Sequence, residues 1–286
     1  MKSEQVYSTK SFNLLKLSVI LVFIGRAYQH LFWDAPVRAF FWDENLIKPL
    51  IENLFNVEWQ TYVTSVTLDL FLDNLVVGFG LLYSLCFLAV IFYKPSKKVL
   101  KYLILVGSIG LVFLAFLLMK ERFYQFAQFF EYSLQFAIPV IFVFSYKGWV
   151  YNNLILILKV LVAIVFVAHG LYAVGYYPVP GYFLGMVINI FGFSEEVSKT
   201  FLLVAGVLDF VVSILIFIPK TAKIALLYAF VWGTLTALAR VVAGLSVDFF
   251  WESIHLNLFQ TIYRLPHGLI PLYLFFRMKN EKLNEF

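Results

Sequence analysis

Arg26, Asp69, Asp73, Glu131, Asp209, Arg240 and Arg264 lie within long apolar runs of the chain, and His30, His169 and His267 lie near them. Guanidiniums, carboxylates and imidazoles in one place can grip an oxygen-bearing ligand or move a proton. A charge at the centre of a membrane helix costs about 3 kcal/mol on insertion scales, so this set carries a gross penalty on the order of 20 kcal/mol unless its members pair. Such a cost is seldom borne for packing alone. The residues therefore predict a buried polar site.

Their spacing suggests who meets whom. Arg26 and His30 are i and i+4, as are Asp69 and Asp73, so each pair shares one helix face. An Arg/His face set against an Asp/Asp face would neutralise its charge, with Arg26 expected to meet Asp73. Such a network is either a set of ion pairs that closes the bundle or a ligand or proton site. Glu131 belongs to a polar stripe with Gln125, Gln128, Tyr132 and Gln135, which must face protein or water. In Tyr263-Arg264-Leu265-Pro266-His267-Gly268 the proline removes a backbone donor and the glycine permits close approach, so the helix should kink beside its ionisable pair. The kink either serves packing alone or lines a cavity.

Other chemistries fare less well. His30, His169 and His267 could converge on a metal, but no H-x-x-x-H or H-E-x-x-H pattern is present, so no metal ligand is assigned. Haem is disfavoured in the same way, since neither a paired-histidine pattern nor an attachment cysteine occurs. Cys86 is the single cysteine, which excludes a disulfide framework and thiol–disulfide chemistry within the chain. There is no glycine-rich phosphate loop.

The elements that position these residues are membrane helices. Hydrophobic residues make up 62% of the chain and charged residues 14%, with a mean hydropathy of +0.86. A soluble domain carries about 25% charged residues. The expected fold class is an all-α polytopic membrane protein. About eight transmembrane helices are expected, near 12–33, 67–93, 99–119, 123–145, 152–173, 199–218, 222–244 and 256–276. The first is too long for a signal peptide and lacks a small-residue cleavage site, so it is retained as a helix.

The net charge of +5 does not imply nucleic acid, because the basic residues occupy short loops between apolar runs. With the N-terminus inside, that side holds twelve basic residues, among them Lys97, Lys98, Lys220 and Lys279. The other side holds five: Arg38, Lys48, Lys120, Arg122 and Lys199. The bias predicts cytoplasmic termini and acidic loops outside, in a bacterial inner membrane, with all the intramembrane charges toward the outer side. Residues 34–66 should form an amphipathic surface helix, and 174–198 an apolar segment too short to span.

The halves overlay. Val19-Ile-Leu-Val-Phe-Ile-Gly-Arg26 matches Val162-Ala-Ile-Val-Phe-Val-Ala-His169, and Leu72-Asp73 matches Leu208-Asp209. The expected organisation is two four-helix bundle repeats side by side, 1–148 and 149–286, in the same orientation, with a boundary near 146–153.

The second half, with its Ala168-His-Gly-Leu-Tyr172 helix end and Gly206-Val-Leu-Asp209, resembles the DoxX-like family of four-helix membrane proteins. In that family the second helix often carries an acidic residue in a Gly-x-x-Glu setting, where this chain has Asp209. The resemblance covers about 155–245 well and 12–120 loosely, and the doubled length departs from the family's single unit. Some members are similar to the small membrane subunit of thiosulfate:quinone oxidoreductase, so the resemblance implies redox work near quinone. It supplies no catalytic residues.

Three function classes follow. The first is a site for a quinone or lipid-like ligand with a redox role, for which aromatic residues, 20% of the chain, would supply apolar walls. The second is an accessory subunit whose outer loops dock a periplasmic or membrane protein partner. Proton-coupled transport is the third, disfavoured because the charges have no inner-half counterpart. Contact with the lipid bilayer is common to all three.

Overall fold

The computed structural model describes residues 9–145 and 151–281, whose regular structure is helical with no strand among them. The expected boundary between the halves falls largely outside the described residues. The first half runs α1 (Thr9–Phe32), three short helices α2 (Arg38–Phe41), α3 (Glu44–Phe55) and α4 (Trp59–Val63), then α5 (Val66–Phe92), α6 (Lys98–Glu121), α7 (Phe126–Glu131) and α8 (Ser133–Ser145). The second runs α9 (Tyr151–Ala173), α10 (Gly181–Phe191), α11 (Glu195–Leu215), α12 (Ala222–Gly244), α13 (Phe250–Arg264) and α14 (Pro266–Glu281).

Seven stretches of the described residues are long and apolar enough to cross a membrane, and one of them, Phe126–Ser145, joins α7 to α8. The chain is a polytopic all-α membrane protein. The eighth expected span, 256–276, is divided at Leu265 between α13 and α14, of 15 and 16 residues, because Pro266 cannot donate to the preceding turn. Large apolar side chains such as Leu81, Ile109, Ile214 and Leu235 stand exposed on the outward faces of α5, α6, α11 and α12, as lipid contact requires.

Local signals set the helix starts. Ser65 accepts from the Leu68 N–H at the start of α5 and Ser194 from Val197 N–H at the start of α11, each at 3.4 Å. Asp69 in the first case, and Glu195 and Glu196 in the second, lie in the first turn, where the helix dipole favours them. The surface helix expected in 34–66 is α3, begun by Asp43 accepting from Leu46 N–H at 2.9 Å and ended by Asn56 in a left-handed conformation with φ 51°. The short apolar segment of the second half is α10, about 16 Å long at its 11 residues and unable to span.

Packing ties the halves together. Within its own half α1 lies on α5, and across to the other it lies on α13 and α14. In the same manner α9 lies on α11, and across on α7 and α8. The apolar core gathers around Val19, Phe23, Ile104, Phe142, Leu158 and Ile270. Gly25 lets α1 approach α13 closely, since a Cβ there would stand 2.7 Å from the Tyr263 nitrogen. That approach brings Arg26 beside Tyr263.

Candidate functional site

Two helix breaks face each other. At the first, Gln135 N–H bonds to the Tyr132 carbonyl at 3.0 Å instead of to Glu131, so α7 gives way to α8. At the second, Gly268 N–H bonds to the Leu265 carbonyl at 3.0 Å and leaves Arg264 without a backbone donor. His267 fills that vacancy, its Nδ1 lying 2.7 Å from the Arg264 carbonyl. A carbonyl only accepts, so Nδ1 donates to it, and Nε2 on the other side of the ring lies 3.4 Å from the Glu131 carbonyl. Glu131 and Arg264 are thus the last helical residues before each break.

Their side chains meet. Arg264 Nη2 makes a salt bridge to Glu131 Oε1, with both side chains almost wholly buried. His169 Nε2, from α9, stands 3.2 Å from Glu131 Oε1 and 3.2 Å from Arg264 Nη1. One nitrogen therefore sits between an anion that accepts and a cation that donates. With a proton on Nε2 it bonds to Glu131; without one it accepts from Arg264. Either neutral tautomer of His169 therefore finds a partner here. His267 lies beside it, the two imidazole centroids 5.7 Å apart.

Arg26 joins from the other side. Its Nε and Nη2 donate to Gln135 Oε1 at 3.1 and 2.8 Å and its Nη1 to Gln29 Oε1 at 2.7 Å. Its guanidinium lies 3.7 Å from the Tyr263 ring centroid and 4.9 Å from that of Tyr132. The Arg264 guanidinium stands 5.8 Å from the Tyr263 ring and 5.7 Å from the Tyr132 ring, so each tyrosine lies beside two arginines.

A cavity of about 380 Å³ opens off this cluster among α9, α10, α11 and α12. His169, Arg240, Arg264 and His267 line one side of it, and Phe166, Phe183, Leu202 and Trp232 supply apolar wall. Asp209 lines it as well, with Oδ1 buried and lacking a hydrogen-bond partner. Gly233 admits the second break to this wall, since a Cβ would stand 2.7 Å from the His267 carbonyl oxygen.

Of the residues predicted for the site, the structure brings together Glu131, His169, Arg264 and His267, with Arg26, Arg240 and Asp209 around them. His30 is buried but turned away, its Nδ1 on the Arg26 carbonyl at 2.7 Å and its ring against Tyr83. The expected meeting of Arg26 with Asp73 does not occur. Asp69 and Asp73 are half exposed at the start of α5, where Arg38 of α2 reaches both, at 2.8 Å and 2.5 Å. Arg26 lies on a part of α1 that faces α8 and α13, so its partners are amides and aromatic rings. Sequence reasoning missed Arg38, counted only as a loop charge, and Gln29 and Tyr263, whose signal was spacing alone: Gln29 lies one turn beyond Arg26, and Tyr263 adjoins Arg264.

Among the described residues no group of three or more His, Cys, Asp or Glu side chains is placed to hold a metal ion. Compared with family models, curated proteins and solved structures, the chain finds no match.

Proposed function

We propose that this membrane protein binds a lipid-soluble molecule with an oxygen-bearing head, the head set among Arg264, His169, His267 and Arg240 and the apolar body along the aromatic wall. The observation that carries this reading is the cavity itself. A volume of about 380 Å³, walled by Phe166, Phe183, Leu202 and Trp232 but fringed by convergent ionisable groups, suits an amphipathic ligand. His169 adds a place for a proton next to that head. A quinone-linked redox component is one use of such a site, in line with the DoxX-like resemblance. The reading places the termini in the cytoplasm and the cavity toward the outside of a bacterial inner membrane, on the strength of the lysine and arginine bias.

The test is an absorbance spectrum and an organic extract of the protein purified in mild detergent, beside Ala205→Phe, which fills the cavity from α11. A small apolar molecule retained by the parent and lost from the variant is the expected result. Colourless extracts without such a molecule from both would discard the reading in favour of an accessory subunit whose outer loops dock a partner.

A further inference from the structure

We infer that the head of the molecule in this cavity is an oxygen anion, a carboxylate or phosphate on an apolar body, seated against Arg240 with Arg264 beside it. The inference rests on the cavity being a site for a lipid-soluble ligand, and it adds the charge of that ligand.

Charge balance leads there. Arg26, Arg240 and Arg264 are 2, 8 and 5% exposed, and a guanidinium keeps its charge at any accessible pH. Among the described residues, the carboxylate paired with this group is Glu131, and it is bound to Arg264. Two buried cations are thus left without an anion, at a cost that burial normally forbids.

They are not equivalent. Arg26 is turned into the protein, where two glutamines take its donors and tyrosine rings cover it. Arg240 lines the cavity with its Nε lacking a partner, and its Nη1 reaches only Gln260 at 3.5 Å. The Tyr182 ring of α10 stands 5.2 Å from its guanidinium. Asp209 does not supply the missing anion. Among the described residues it makes no salt bridge to Arg240, and its side chain lies near Trp232, two turns earlier on α12.

A neutral carbonyl head would leave the excess charge in place, whereas an anion removes one unit of it and gives the bare Nε an acceptor. A free inorganic anion would satisfy Arg240 but has no use for the apolar wall. The geometry therefore selects an anion that carries its own apolar tail.

The full chain in detergent would be titrated with cis-parinaric acid, whose fluorescence rises on binding, and with its methyl ester, which keeps the tail and loses the charge. The acid should bind at least 10-fold more tightly than the ester. In Arg240→Gln that preference should fall to about 2-fold through loss of acid affinity alone, and Arg240→Lys should restore part of it. Competition by inorganic phosphate should be weak. Equal binding of acid and ester, or a preference unchanged in folded Arg240→Gln, would overturn the anionic head while leaving the lipid-soluble ligand in place. Displacement by phosphate at equal concentration would overturn the tail, and failure of both probes to bind would remove the cavity reading with it.

Discussion

Glu131→Gln isolates the charge at the centre of the cluster, because glutamine keeps the volume and one acceptor oxygen while removing the anion. In the parent, Glu131 Oε1 takes both the Arg264 salt bridge and His169 at 3.2 Å. In the variant, Arg264 would retain only neutral partners, His169 at 3.2 Å and the Tyr132 hydroxyl at 3.5 Å. Breaking a buried pair from one side costs about 3–5 kcal/mol. The surviving amide acceptor returns about 1 kcal/mol, so a net loss of about 2–4 kcal/mol is expected. At about 2–4 °C per kcal/mol for a chain of this size, the melting temperature in detergent should fall by about 5–15 °C. Arg264→Gln alone should fall comparably, whereas the double variant should recover about 0.5–3 kcal/mol of the summed loss, because neither charge is then orphaned. Differential scanning fluorimetry of the four proteins completes the cycle. A shift below about 2 °C for Glu131→Gln, or losses that add strictly, would show that the ion pair does not hold the two breaks together.

Gly233→Ala should destabilise by about 1–3 kcal/mol, since the added methyl meets the His267 carbonyl oxygen at 2.7 Å and its carbon at 2.8 Å, both backbone atoms; chemical denaturation would measure it, and no loss would mean that α12 and α14 can part freely. Between α2 and α3, Lys120 and then the Leu46 N–H hold the Asp43 carboxyl below its ordinary value. A lowered folded value means that this contribution is complete at neutral pH and fades as pH falls from about 4 through the folded value. The melting temperature of Asp43→Asn should therefore lie below the parent's at pH 7 and approach it near pH 3, and a gap that widens on acidification would contradict the sign. Cysteines placed at Glu52 or Glu195 should react with impermeant reagents in whole cells, and cysteines at Lys97 or Lys220 should not; Cys86 is fully buried and gives little background. The reverse pattern would invert the orientation.

The fold class was legible because composition and span length leave a chain this apolar few alternatives. The seven spans, α10 and the break at Pro266 follow from apolar run length and from a missing backbone donor. The break at Tyr132 was not legible, since Gln135 exchanges one carbonyl acceptor for the next and no proline marks the position. The site was legible in its members and less so in its pairings. Burial cost singles out Arg26, Glu131 and Arg264 by type alone, but helix spacing says which residues share a face and not which neighbouring helix that face will meet. Arg26 and Asp73 were matched by charge, yet Arg38, on the four-residue helix α2, reaches Asp73 instead. Tyr263 carries no charge, so its place beside Arg264 in the sequence does not show that it also meets Arg26 until α1 and α13 are in contact.

The crossing of the halves sets an order of assembly. Glu131 is synthesised about 130 residues before Arg264, which at 5–20 residues per second is about 7–27 s on the ribosome. During that interval α7 and α8 have been made while their carboxylate awaits its cation, and α1 has no α13 to cover Arg26. When they emerge, α13 and α14, the two parts of one broken span, close both gaps at once. The C-terminal helices thus act as a keystone, and a nascent chain halted before Phe250 would be an easy target for membrane quality control, whatever the intact protein goes on to bind.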